Sequence, residues 1–213
     1  MSSPLLVLER AVLLHEALAA AGIPHALGGA LALAYHVADA RGTNDIDLNV
    51  SLDADRPEPL FEALPTGLPW TQDDVEEVRR TGQVRLYWPH PDGPPTQPIP
   101  VDLFLPQDEY HAVVAARTEL VPMLETWVPI ISATDLTVFK ALFNRGKDWV
   151  DIEELLRYGA VDVDEVARWL TELLGEDDPR LPRLEALRER ASRPHEQIVA
   201  ADLFRRSKRR LGD

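Results

Sequence analysis

Apolar residues recur at roughly helical spacing through Leu5, Leu8, Val12 and Leu18 until Gly22 interrupts them, and Ser3-Pro4 resembles an N-cap followed by a first helical position. The pattern predicts a helix over about residues 4–21. The short apolar run Ile23 to Leu27 leads straight into Gly28-Gly29 and then a helical stretch, Ala30 to Ala38, giving strand, glycine turn and helix. After a loop at Arg41 to Asn44, Asp45-Ile46-Asp47-Leu48-Asn49-Val50 alternates strictly between polar and apolar, the mark of a strand with one buried face. Short helices are expected near 59–64 and 73–80. A strand at Gln83–Trp88, a turn-rich connection at 89–95 and a strand at Ile99–Leu105 then read as a hairpin with a long loop. Pro98 and Pro100 place that end of the second strand at an edge. Beyond a strand at about Trp127–Ile131 the pattern becomes helical. Ser132 with Asp135 three residues on resembles a capping box opening a helix to about Asn144, and helices follow over 148–158, 164–174, 181–190 and 195–210. The expected class is α/β (α+β), with a mixed-sheet core over residues 1–131 and a helical C-terminal lobe with a basic tail over 132–213.

Composition narrows the picture without changing it. A chain of 213 residues, 45% hydrophobic and 27% charged, is ordinary for a soluble globular protein. No run approaches the roughly 20 apolar residues of a membrane span, and the first ten residues lack a secretory pattern, so a cytoplasmic location and no membrane partner are expected. With no cysteine, any metal must be held by oxygen or imidazole. The six histidines show no paired ligand spacing. A formal charge of -14 argues against broad electrostatic capture of nucleic acid, although the last nine residues, RRSKRRLGD, carry five basic side chains. That tail could reach RNA, an acidic partner or the protein's own surface.

The strand pattern brings in the candidate chemistry. Asp45 and Asp47 project from one strand face with Cα atoms roughly 6.6 Å apart, while Ile46 and Leu48 enter the core. Two carboxylates so placed can converge on hard cations, and a magnesium pair sits about 3.5–4 Å apart when it organises in-line displacement at phosphorus. Asp102 is the candidate third carboxylate, because it lies within the apolar run Val101 to Leu105, where an isolated charge is costly to bury. Gly28-Gly29, between a strand and a helix, allows close backbone approach and leaves free N–H groups for a phosphate. Each feature alone also fits an edge carboxylate facing water or an ordinary glycine turn.

Together the residues carry a resemblance. The run from Gly28 to Val50, with Asp102 on a later strand, resembles the DNA polymerase-β-like nucleotidyltransferase superfamily: a Gly-Gly or Gly-Ser turn, a helix, then Asp-hydrophobic-Asp and a later acidic residue. The run Arg41-x-Thr43-x-Asp45-Ile46-Asp47 is similar to the minimal and AbiEii-type members, several of them toxins of toxin–antitoxin pairs. Leu136 to Asp151 is similar to the downstream AbiEii-type helix with its lysine and its basic-Asp-x-x-Asp run. Gly29 stands where many relatives have serine, and the fifteen residues between Gly29 and Asp45 are at the long end for the superfamily.

The resemblance implies a mixed-sheet nucleotidyltransferase domain followed by a helical lobe, with two Mg2+ ions, or Mn2+ in their place, on Asp45, Asp47 and Asp102. It implies transfer of a nucleoside monophosphate from a nucleoside triphosphate such as ATP to an acceptor hydroxyl. Gly28, Gly29 and Lys140 would grip the triphosphate, with Arg41 and Thr43 beside it, while Lys147, Asp148 and Asp151 brace the nucleotide pocket. Arg41 and Arg145 either bind phosphate or pair with carboxylates; the five tryptophans read as core or strand residues rather than a base-stacking platform, with a nucleotide-facing Trp88 as the alternative. The acceptor stays open between an RNA end such as tRNA, a protein hydroxyl and a cationic small molecule of aminoglycoside type. An antitoxin is an implied partner, and a non-catalytic nucleotide-binding module is the reading from another class.

Overall fold

A computed structural model of the chain describes residues 4–38, 42–90, 97–158 and 160–192. The elements, in chain order, are α1 (Pro4–Ala20), β1 (His25–Leu27), α2 (Gly29–His36), β2 (Ile46–Val50), α3 (Glu58–Ala63), α4 (Gln72–Thr81), β3 (Gln83–Trp88) and β4 (Ile99–Phe104). There follow α5 (Glu109–Ala116), β5 (Glu119–Met123), β6 (Thr126–Ile130), α6 (Ala133–Phe143), α7 (Gly146–Arg157), α8 (Val163–Leu174) and α9 (Arg180–Ala191). Most predicted elements fall within one or two residues of these bounds. Two were not anticipated: α5, whose N-cap Asp108 accepts from the His111 amide, and the edge strand β5. The predicted helix over 195–210, the basic tail, Arg41 and the loop at 91–96 lie outside the described residues.

Among the described residues six strands form one mixed sheet in the order β3-β4-β2-β1-β6-β5. β2 runs parallel to β4 and β1 parallel to β6, while β1–β2, β3–β4 and β5–β6 are antiparallel. The hairpin of β3 and β4 forms as expected, and although β4 sits inside the sheet its proline end lies at an edge, as expected. Pro100 is tolerated because the β2–β4 pairing begins only at Ile46–Val101, so the proline end of β4 has β3 alone as its neighbour.

Alternation divides the sheet into two faces. Ile46, Leu48 and Val50 of β2, Val101 and Leu103 of β4, and Val84, Leu86 and Trp88 of β3 are buried on the core face. Val7, Ala11, Leu14 and Leu18 of α1, spaced to share one helix face, join the same core with Leu60 and Phe61 of α3 and Val75 and Val78 of α4. Trp88 belongs here: it is 1% exposed, Gly67 abuts its indole and the Arg10 guanidinium lies 4.5 Å from its ring. The alternation of β3 turns it away from the polar face, which bears out the expectation of a core residue and removes the alternative that it faces a nucleotide. The opposite face carries Arg85, Asp102 and Asp47 in one cross-strand row, because Arg85 is registered with Asp102 and Asp102 with Asp47.

Helix α6 is fixed over that face by a buried polar anchor. Asp135 in its first turn is fully buried and accepts from the Tyr110 hydroxyl at 2.7 Å, from the Ser132 hydroxyl at 2.6 Å and from the Arg117 guanidinium at 2.5–3.0 Å. Ser132 caps the Asp135 amide as expected, but the Asp135 carboxylate is recruited to Tyr110 and Arg117. Arg117 also reaches Glu165 of α8 at 3.1 Å, so one guanidinium ties the sheet side to two C-terminal helices. The hydrogen bonds from Arg168 and, next, Arg117 pull the pKa of the Glu165 carboxyl down to about 2.

Candidate active site

The glycine turn is fixed by its neighbours rather than by its own sequence. The Gly28 amide donates to the Asp47 carbonyl at 2.8 Å, the Ile131 amide to the Leu27 carbonyl at 3.0 Å, and His36 Nε2 to the Ile131 carbonyl at 2.8 Å. Gly29 adopts φ 55°, and a Cβ there would stand 1.7 Å from Asp47 Oδ2. Glycine is required at this position by both conformation and space.

Asp45 lies just before β2, where the Thr43 hydroxyl donates to its carboxylate and also sits 3.3 Å from its backbone amide. Asp47 follows on β2 and Asp102 stands beside it on the parallel strand β4. Neighbouring strands lie about 4.8 Å apart, so the registered pair shares one patch of the polar face. Desolvation, with the adjacent Asp45 and Asp102, pushes the Asp47 carboxyl up to about 6. Lys140 and Arg145 offset part of this rise.

A residue the sequence reading passed over completes the row. Arg85 of β3 places Nε 2.6 Å from Asp102 Oδ1 and Nη2 2.6 Å from Oδ2, a two-pronged grip on both oxygens. Its signal was the alternation of Gln83–Trp88, which sets Arg85 opposite in face to Val84, Leu86 and Trp88. What the sequence could not supply was the register that puts it across from Asp102.

The far wall of the cleft comes from α6 and α7. Lys140 is 3% exposed and pairs with Asp151 at 2.6 Å while bordering the same cleft as Asp45, Asp47 and Gly29. Asp148, fully buried, accepts from the Arg145 amide at 3.0 Å and from its guanidinium at 2.7 and 3.0 Å, which fixes the first turn of α7. Lys147 is exposed at the cleft edge, and Phe104, Phe139 and Phe143 give the cleft an apolar wall. The structure thus gathers Gly29, Asp45, Asp47, Asp102, Lys140, Lys147 and Asp148 around one cleft, with Gly28 beneath the turn and Asp151 behind Lys140. Thr43 acts through Asp45.

The fit to a divalent cation rests on the donors. All three carboxylates offer hard oxygen, and the raised Asp47 carboxyl marks negative charge that a cation would stabilise. Among the described residues no three acidic or imidazole groups already form a closed ligand set, and the Arg85 fork accounts for Asp102. The donor chemistry fits; completing the set requires Asp102 to change partner.

A mixed sheet with a glycine turn packed on an Asp-x-Asp strand, and a third aspartate registered beside it, is the arrangement that the sequence's resemblance to nucleotidyltransferases implies. Comparison with known proteins agrees. The family model for the nucleotidyl transferase AbiEii toxin, type IV toxin–antitoxin system, matches residues 12–212, and the chain belongs to that family. In fold it is similar to an antigenic nucleotidyltransferase-like protein from Paracoccidioides brasiliensis, at 18% identity and a TM-score of 0.55, covering 89% of this chain and 94% of that one. JHP933 from Helicobacter pylori aligns at 15% identity and a TM-score of 0.46, covering 98% and 97% of the two chains. No curated protein matches the sequence. Among the described residues no helix is long and apolar enough to cross a membrane.

Proposed function

We propose that this chain transfers a nucleoside monophosphate from a nucleoside triphosphate to an acceptor hydroxyl, using divalent metal. The observation that carries the reading is the registered pairing of Asp47 with Asp102, with Gly29 packed on Asp47 and Lys140 across the cleft. Asp45, Asp47 and Asp102 would hold two Mg2+ or Mn2+ ions. Bound there, the ions would activate the acceptor hydroxyl and neutralise charge on the transferred phosphoryl group. The Gly28 amide is committed to the Asp47 carbonyl, so it is the Gly29 amide, in the first turn of α2, that would face the triphosphate with favourable polarity. Lys140 stabilises the departing pyrophosphate, and Asp151 holds its ammonium in place. The acceptor oxygen forms a bond to the α-phosphorus, the bond to pyrophosphate breaks, and the hydroxyl proton passes to Asp102 or to solvent.

The acceptor side supports an anionic substrate. Next to Asp102 the cleft opens between Arg85 and Arg145, both about half exposed, with the Arg145 guanidinium 4.8 Å from the exposed Phe143 ring. Asp47, Glu77 and Asp102 share that lining, but the two exposed guanidinium groups and the aromatic face suit phosphates and a base, which favours an RNA end such as tRNA over a cationic aminoglycoside. Membership of a toxin–antitoxin family supports an antitoxin as the regulatory partner.

Transfer of label from each nucleoside triphosphate, radiolabelled at the α-phosphorus, tests the reading. Total RNA, protein and a set of aminoglycosides serve as acceptors, with the double variant Asp45→Ala/Asp47→Ala as control. Label in RNA that vanishes in the control is expected. Label confined to aminoglycosides overturns the acceptor, and nucleotide binding without label in any pool points to a non-catalytic module.

A further inference from the structure

We propose that Arg85 is a substrate-released latch on Asp102, withholding the third carboxylate from metal until an anionic substrate takes the guanidinium. The inference rests on the metal-site reading above. Asp102 is 8% exposed, and both of its oxygens are taken by one fork at 2.6 Å. The fork occupies an acceptor site on each Asp102 oxygen and sets a positive charge beside the carboxylate, so a cation arriving alone must compete with a charge-assisted pair.

The fork is held from the side that can let go. Arg85 sits on the edge strand β3, its side chain 51% exposed against 12% for that of Asp102, and it borders both the nucleotide cleft and the opening beside Arg145. A guanidinium is weakly hydrated and binds phosphate in the same two-pronged geometry as carboxylate. A phosphate entering that opening therefore offers Arg85 an equivalent partner and frees Asp102 to turn to metal. Arg85 thus positions Asp102 and couples completion of the metal site to substrate arrival, which would suppress turnover onto water when no acceptor is bound.

The test is Mn2+ affinity of the full chain without nucleotide, measured by calorimetry for the wild type, Arg85→Gln and Arg85→Lys, with melting curves confirming that each is folded. The latch predicts that Arg85→Gln binds Mn2+ about tenfold more tightly than wild type, because a charge-assisted pair no longer competes. Arg85→Lys, which keeps the charge but loses the fork, should fall between them. Adding Asp102→Asn to Arg85→Gln should erase the gain. Equal affinity in wild type and Arg85→Gln, with binding still abolished by Asp47→Asn, overturns the latch and leaves the metal site standing. Mn2+ binding that is absent from all forms, or indifferent to Asp47, overturns both.

Discussion

Gly29 shows how one residue decides the site. Its positive φ and its contact with Asp47 leave no volume for a Cβ, so the turn and the second carboxylate are fitted to each other. Gly29→Ala is expected to destabilise the protein by roughly 2 kcal/mol, from left-handed strain plus displacement of Asp47. Label transfer should fall about a hundredfold, since a misplacement near 1 Å in a reacting constellation has that effect. Urea denaturation and the transfer assay check the two effects separately. A variant that keeps full activity would show that Asp47 has room to move. Lys140 and Asp151 illustrate the cost of the cleft's far wall: each is nearly buried, so removing one partner would leave an uncompensated charge. The sequence marked Gly29, Asp47, Asp102, Lys140 and Asp151 as positions of interest, yet it did not disclose that Lys140 rests on Asp151 or that Asp102 rests on Arg85.

At the scale of elements, α1 meets β1 through two imidazoles. His25 Nδ1 lies 2.7 Å from the Ile23 carbonyl, which can only accept, so that nitrogen carries the proton and Nε2 of neutral His25 accepts from His15 Nδ1 at 2.9 Å. Burial lowers both imidazoles below their ordinary range, and Glu16 partly offsets this at His15. An unfolded imidazole takes up its proton near pH 6.5, before either folded one does. The contribution to stability is therefore complete above that pH and lost as pH falls toward the lower folded values. The Asp47 carboxyl, raised to about 6, works in the opposite sense over the same range, so the histidines are read by difference. The drop in melting temperature from pH 7.5 to 5.5 should be smaller in His15→Gln, which keeps a donor for His25 but does not titrate. Identical slopes in the two proteins would remove the pair from the pH response.

Elements were legible where packing repeats locally and illegible where it does not. The α1 face, the β2 alternation and the helices after Ser132 carry their own pattern. Helix α5 buries only Tyr110 and Val114 among its eight residues, and β5 is an edge strand with mostly exposed side chains and Pro122 inside it. Such elements are specified mainly by what they pair with. β5 exists through its ladder with β6, and α5 through the hydrogen bond of Tyr110 to Asp135.

For the whole molecule, an acidic body closes a cleft between the sheet and α6–α7 around an acidic row. A ligand that binds only the folded form stabilises it by about 2.7 kcal/mol at one hundred times its dissociation constant. For a chain of this size that corresponds to a rise in melting temperature of roughly 5–10 °C. Nucleoside triphosphate with Mg2+ should produce such a shift, and Asp47→Asn should abolish it. A shift of the same size without divalent cation, or in the variant, would place nucleotide binding outside the carboxylate row.

The sequence by itself determined the element types, the glycine turn and the order of turn, Asp-x-Asp and third aspartate, because propensity, capping and alternation act over a few residues. It also carried the family resemblance that the match over residues 12–212 bears out. Only the tertiary structure decided that β2 and β4 run parallel with Asp47 beside Asp102, that Arg85 lies opposite Asp102, and that Trp88 turns to the core. Cross-strand register is set by burying Ile46, Leu48, Val101 and Leu103 together. A slip of one residue would exchange the two faces, so the neighbours of each charge are fixed by contacts between distant parts of the chain.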